Sequence, residues 1–348
     1  MAQRVILDTD PGIDDALAIL LALAAPELDL AAVGVTGGNC PRDMGVRNAL
    51  AVIELARATT PICPGIALPL LRPPYTAEET HGATGLGYAV LPPPTIAPAS
   101  EHAVDMIIRE IMAAPGEVTL VAVAPLTNIA AALRREPLIA QAVRETIIMG
   151  GALRVDGNTT SLAEFNFYVD PHAAEIVLQS GMPITLVPWD ITRDVLLRQA
   201  HVDRLLQRDG PLARFVAEAT RFYMQFHLDA FGYAGCSIND PVALALVYMP
   251  ELAITTPMHI AIEHSSELTM GKSVIAYVGQ DIRAPMPDDI PGFDTHAQPP
   301  AWRKAFRPLP NTRVVTEFDG ERFLHHFVER MEMLHDRLTA VGQSAAGS

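Results

Sequence analysis

Four aspartates stand within eight residues near the start of the chain, Asp8, Asp10, Asp14 and Asp15, with Pro11 and Gly12 turning the backbone between them. Carboxylates packed this closely repel one another unless a cation or bound protons compensate them. Oxygen-only ligands with no His or Cys set beside them point to a hard cation, calcium or magnesium, and many carboxylates with flexible ligand number favour calcium. Asp14 and Asp15 also suit a plainer role, capping a helix and favouring its dipole, but that role covers only half the cluster. Further along, Gly37, Gly38 and Asn39, then Met149, Gly150 and Gly151, then Trp189, Asp190 and Thr192 each follow a short apolar run. If those runs are parallel strands, every one of these residues falls at a carboxyl end, where open α/β sheets bind ligands.

The elements needed to place them there are legible. Short apolar runs alternate with helix-period segments over the first 190 residues, the pattern of parallel strands with covering helices. The runs Arg4 to Asp8, Leu30 to Thr36, Ile62 to Pro64, Val118 to Val123, Thr146 to Met149 and Ile184 to Val187 read as strands. Asp15 to Ala24, Arg42 to Arg57, Ala103 to Met112, Leu126 to Arg134 and Pro171 to Gln179 read as helices, the last with proline in its first turn. Residues 200–250 read as mostly helical, Met258 to Glu263 and Ser273 to Tyr277 as late, antiparallel strands, and Glu321 to Leu338 as a closing helix. The expected fold is therefore α/β, an open, mostly parallel sheet flanked by helices with C-terminal helical additions. Residues 1–342 form one domain in this reading, with a proline-rich loop insertion at 280–310 and a disordered tail at 343–348.

Composition excludes several classes. Of 348 residues, 25 are basic and 40 acidic, a net charge of -15 at pH 7, which disfavours a nucleic-acid partner, and no basic cluster contradicts that. Lysine occurs only at 272 and 304, leaving phosphate-loop and Schiff-base chemistry few carriers; Met270-Gly271-Lys272-Ser273 lacks the first glycine of a phosphate loop, because Ser266 stands there. Cys40, Cys63 and Cys236 have neither metal nor disulfide spacing and read as reduced thiols. The N-terminal apolar stretch from Ala16 to Pro26 is shorter than the roughly 20 residues a bilayer span needs, so no membrane association and a cytoplasmic location are expected.

The run Asp8-Thr9-Asp10-Pro11-Gly12-Ile13-Asp14-Asp15 resembles the D-x-D-P-G-x-D-D opening of inosine-uridine-preferring nucleoside hydrolases. The likeness continues through Gly38-Asn39, Pro125 to Ile129, Met149 to Gly151, Asn158 to Asn166, Asp170-Pro171 and Asp240-Pro241, with fainter echoes at Glu267 to Gly271 and Glu321 to Leu324. The resemblance implies a Rossmann-like hydrolase of ribonucleoside N-glycosidic bonds, with Ca2+ held by Asp10, Asp15, Asp240 and the carbonyl of Val123. Asp10 would also be the general base that activates a water on the metal. Asp14, Asn39, Glu164 and Asn166 would hold the ribose hydroxyls, Asn158 the 5′ hydroxyl, and Met149 would pack beneath the sugar. Anionic and amide oxygens around the ribose suit an oxocarbenium-like transition state and would repel a 5′ phosphate, so a nucleoside fits better than a nucleotide. A homodimer or homotetramer is expected from the family.

The departures concern the leaving group. Asn239 stands where one branch of the family has a histidine that protonates the departing base, and Phe231 where another has tyrosine. An amide is not a general acid, so His227, His81 and Tyr233 become the other candidates, with His227 and Phe231 one helical turn apart. Trp189 and Phe165 read as core packing. Three alternatives remain: a hydrolase of a ribosylated metabolite whose base leaves unprotonated, a calcium-dependent ribose or nucleoside binder, and a D-x-D phosphatase, which Pro11 disfavours.

Overall fold

The computed structural model describes residues 2–277 and 309–346. Nine strands form one sheet: β1 Gln3–Thr9, β2 Leu28–Val35, β3 Ile62–Pro64, β4 Thr119–Ala122, β5 Glu145–Met149, β6 Ile184–Val187, and, after the short β7 Leu196–Leu197 and β8 Cys236–Ser237 that pair with each other, β9 Ala253–Ile262, β10 Ser273–Tyr277 and β11 Thr312–Phe318. The order is β10-β9-β11-β6-β5-β4-β1-β2-β3. Its first six strands are parallel and run 3-2-1-4-5-6, so the order reverses between β1 and β4. Asp10 follows the end of β1 and Val123 the end of β4. The aspartate cluster thus sits at the switch point where a doubly wound sheet opens a crevice.

Helices cover both faces of this sheet: α1 Ile13–Ala24, α2 Arg42–Leu55, α3 Glu78–His81, α4 Ala103–Ala113, α5 Thr127–Arg135, α6 Ile139–Ala142, α7 Phe165–Val169, α8 Pro171–Leu178, α9 Trp189–Thr192, α10 Gln199–Leu206, α11 Pro211–Phe231, α12 Asn239–Ala245 and α13 Gly320–Ala346. Strand alternation divides the core. Val5 and Leu7 of β1 pack with α1, α11 and α12, while Ile6 packs with α4, α5 and α8 on the opposite face. Helix α1 is apolar nearly all round and all but one of its residues is buried, as a central helix must be. Helix α11 starts at Pro211 and stops at Gly232, whose φ of 72° is the left-handed cap that glycine adopts without strain.

The parallel half and the antiparallel β9–β10 pair match expectation. Three features do not. Strand β9 starts five residues earlier than Met258, at Ala253. Strand β11 went unread beside the proline-rich stretch, yet it lies inside the sheet, parallel to β6 and antiparallel to β9. The closing helix α13 carries on through Gly342 to Ala346 where a disordered tail is expected at 343–348. The expected loop at 280–310 lies outside the described residues as far as 308. Among the described residues no helix is long and apolar enough to cross a membrane.

Candidate active site

The turn after β1 carries the acidic cluster, and its geometry is set by backbone amides. Asp15 accepts from the amides of Asp10 (3.0 Å) and Gly12 (2.9 Å), the amide side chain of Asn39 (2.8 Å) and the Thr9 hydroxyl. Asp10 Oδ2 accepts from the Asn39 amide at 2.6 Å, while its buried Oδ1 has no hydrogen-bond partner. Glycine is required beside them: a Cβ on Gly38 would lie 1.9 Å from Asp10 Oδ2, and one on Gly12 2.6 Å from His81 Nδ1. Asp14 Oδ2 accepts from Asn239 at 2.9 Å, with the Tyr223 hydroxyl at 3.4 Å. Behind the cluster, Asn128 donates to Asp8 at 2.9 Å and accepts from the Ile66 amide at 2.8 Å, tying β1 to the chain after β3.

Burial and mutual repulsion raise the pKa values of Asp10, Asp14 and Asp240. Burial first, and then the charge of Asp15, hold Asp10 well above the ordinary carboxylate range and push Asp14 up to about 7. Asp240 is likewise held well above it by burial and by Asp14, Asp15 and Asp10 in turn. One oxygen each of Asp14, Asp15 and Asp240 lie within 4.8 Å of one another. Hard oxygen donors, a buried unpartnered carboxylate oxygen and carboxyls that cannot all ionise unaided together fit a divalent cation. The closest trio differs from the expected metal set, since it contains Asp14 in place of Asp10. Asp10 is its electrostatic neighbour instead. The carbonyl of Val123 accepts from Asn166 Nδ2 at 3.1 Å, a bond that leaves one lone pair for a cation.

Above the cluster opens a small, partly enclosed cavity of about 60 Å³. Asp14, Asn39, Val123, Met149, Asn158, Glu164, Asn166, Asn239 and Asp240 all line it, as do His81 and His227. Eleven of the residues singled out in the sequence thus line one cavity, while Asp10 and Asp15 are fully buried and are not among its lining residues. Tyr233 does not belong there. Its hydroxyl accepts from Arg193 at 2.8 Å and its ring stacks on Phe231 and His227, outside the lining of the cavity. Glu164 caps α7, accepting from the amides of Gly151, Asn166 and Phe167, and burial pushes it up to about 7. Asn166 holds Met149 through its carbonyl at 3.2 Å.

Trp189 and Phe165, read as core, are buried and line the cavity as well, together with Phe226 and Phe231. Tyr223 was missed altogether. It lies four residues before His227 on α11, its ring 5.3 Å from His81 and 4.4 Å from His227. The signal was present as Tyr223-x-x-x-His227-x-x-x-Phe231, one face of a helix.

The two histidines are fixed in opposite tautomers. The Ile13 amide donates to His81 Nδ1 at 3.1 Å, so the proton of the neutral ring sits on Nε2. His227 Nδ1 stands 2.9 Å from the Tyr223 carbonyl, which can only accept, so here Nδ1 carries the proton and Nε2 is a bare acceptor. Burial lowers both rings to about 4, so both are neutral at pH 7. The fold therefore presents one ring donor and one ring acceptor. Asn239 is no acid either, its amide being committed to Asp14.

A pH dependence of stability follows. His227 titrates at about 4 folded but near 6.5 unfolded, so as pH falls below about 6.5 the unfolded chain takes up the proton first. This contribution is present above that pH and fades toward 4. Urea unfolding at pH 7 and 4.5 is expected to show wild type losing about 2 kcal/mol more than His227→Gln, and equal losses would contradict the buried neutral ring.

The model of the inosine-uridine preferring nucleoside hydrolase family matches residues 5–325. A Schizosaccharomyces pombe protein described as uncharacterized is 42% identical over 278 residues, 78% of this chain and 89% of that one. The pyrimidine-specific ribonucleoside hydrolase RihA of Salmonella arizonae is 39% identical over 279 residues, 80% of this chain and 89% of its own. The purine-preferring ribonucleoside hydrolase of Gardnerella vaginalis superimposes with a TM-score of 0.84 at 29% identity, covering 96% of this chain and 99% of that structure. The chain belongs to the inosine-uridine preferring nucleoside hydrolase family. It is a ribonucleoside hydrolase, a glycosidase that cleaves the bond between ribose and base.

Proposed function

We propose that this chain hydrolyses unphosphorylated ribonucleosides with Ca2+ at Asp10, Asp15, Asp240 and the Val123 carbonyl. The observation that carries the reading is the oxygen-only cluster of Asp14, Asp15 and Asp240 at an aromatic-walled cavity whose lining, among the described residues, contains no lysine or arginine. A cation held there supplies Lewis acidity and an anchor for vicinal hydroxyls. Asp10, through its free Oδ1, takes the proton from the attacking water as the new C–O bond forms at the anomeric carbon. Asp14, Asn39, Glu164 and Asn166 orient the ribose and offset the positive charge that develops on it, with Asn158 at the 5′ side and Met149 beneath the ring. The electron pair of the breaking C–N bond passes to the base, and the Nε2–H of His81 donates a hydrogen bond to it. His227 accepts from an N–H of the aglycone.

The test is release of ribose and free base from purine and pyrimidine ribonucleosides, nicotinamide riboside and 4-nitrophenyl riboside. Turnover of ordinary nucleosides supports the reading and ranks the bases; silence toward all of them with ribose still bound would establish a binding protein instead. A second reading, a ribosylated metabolite whose base needs no protonation, is favoured by the engagement of Asn239 with Asp14. It requires turnover confined to the activated ribosides. His81→Gln separates the two: kcat should fall roughly 10²-fold on ordinary nucleosides and scarcely change on 4-nitrophenyl riboside. Equal loss on both would remove His81 from leaving-group stabilisation.

A further inference from the structure

The loop that joins β9 to β10 packs against the back of the segment that leads into the cavity wall. It is a ten-residue loop, 263–272, closed at its base by Gly271 donating to the Glu263 carbonyl at 2.8 Å and Glu263 to that of Lys272 at 2.9 Å. Gly271 has a φ of 77° and approaches so closely that a Cβ there would stand 2.8 Å from Tyr168 Cα and 3.1 Å from the Phe167 carbonyl. The fully buried Ser273 faces Gly151, where an added Cβ would stand 2.7 Å from its hydroxyl. Between these two contacts Lys272 extends its ammonium to the carbonyls of Ala152 and Leu153, each at 3.2 Å.

That ammonium completes a set of restraints on residues 151–154. The Gly151 amide goes to Glu164 at 2.7 Å, and the Gly151 carbonyl accepts from Trp189 at 2.8 Å. The amides of Leu153 and Arg154 both go to Asp190, each at 2.8 Å. Asp190 and Glu164 thus hold the amides of this segment while Lys272 holds two of its carbonyls. The segment runs directly into Asn158 and Thr159, which line the cavity, and Asn158 Oδ1 closes the loop by accepting from the Phe165 amide at 2.8 Å. A charged donor shared by two carbonyls is among the stronger neutralising contacts a loop can have.

We infer that Lys272 is a positioning residue, which acts through the carbonyls of Ala152 and Leu153 to fix the 151–163 wall and with it Asn158. The effect on turnover rests on the reading given under Proposed function, in which Asn158 meets the 5′ side of the sugar. Hydrogen exchange does not depend on that reading, and it carries the first arm of the test.

In the full-length protein, Lys272→Met keeps the length of the side chain and removes the charge, leaving two carbonyls without their donor. Exchange of peptides spanning 150–163 is expected to quicken about tenfold, with peptides spanning 236–246 unchanged. Its kcat/KM for ribonucleosides should fall about tenfold, chiefly through KM, and fall less than twofold for the 5′-deoxy analogues. Lys272→Arg, which retains a cationic donor, should restore both. Unchanged exchange at 150–163, or equal kinetic losses on both substrate types, would overturn the inference. If Lys272→Met does not fold, the same comparison is made between Lys272→Gln and Lys272→Arg. A wild-type protein inactive on every nucleoside would sink the nucleosidase reading, while exchange would still decide whether Lys272 holds the wall.

Discussion

Asp10→Asn is expected to lower kcat for ribonucleoside hydrolysis roughly 10³-fold while leaving the cation-free protein at least as stable as wild type. The two halves of this expectation come from the two oxygens of one carboxylate. Oδ2 accepts from the Asn39 amide, and the carbonyl of an asparagine can keep that bond. Oδ1 is buried without a partner, among Asp15, Asp14 and Asp240. An amide NH2 placed there meets carboxyl acceptors and stays neutral without binding a proton, in a cluster where burial already penalises charge. What it cannot do is take a proton from water. Steady-state rates with thermal unfolding in a chelator check both halves; activity within tenfold of wild type would exclude Asp10 as the base.

Removal of the cation is expected to abolish turnover and to lower the melting temperature by several degrees. A ligand present at about 100 times its Kd and bound only by the folded state contributes about 2.7 kcal/mol. Its affinity has a defined pH dependence. Asp10 and Asp240 are held well above the carboxylate range and Asp14 at about 7, so near neutrality the cation-free cluster retains protons that a cation must displace. Binding should therefore tighten from pH 6 to pH 8. Calorimetric titration of the chelator-treated protein with Ca2+ and Mg2+ measures the affinity and its pH slope; a Kd indifferent to pH, or activity that survives chelation, would contradict the assignment.

Much of this site could be read before any coordinates, for physical reasons that differ by residue. The six parallel strands are buried on both faces and appear as apolar runs, and their carboxyl ends are marked by the polar and glycine residues that follow. Asp10, Asp14 and Asp15 stand out because no ordinary surface needs that density of charge in one turn. Tyr223 was hidden because a tyrosine on an amphipathic helix looks like core until the partner of its hydroxyl, Asp14, is known to come from 209 residues away. Tyr233 misled for the converse reason: the turn at Gly232 lays its ring on His227, but its hydroxyl is engaged by Arg193 and it does not line the cavity. Trp189 and Phe165 show that a wall residue and a core residue can be one side chain, since each is buried by protein on one side and borders the cavity on the other.

The place of β11 in the sheet bears on how the molecule is made. Residues 312–318 supply the strand between β6 and β9, so a chain emerging from the ribosome completes the parallel half long before the piece that seals its edge exists. Until then β6 presents an unpaired backbone edge, and β9 offers another with no neighbour on that side. Nascent chains stalled before residue 312 should consequently be held by chaperones or aggregate, although they already contain every residue placed at the active site. Insertion of the last strand, rather than assembly of the catalytic cluster, closes these two inner edges at once and leaves β10 and β3 as the outer edges among the described residues.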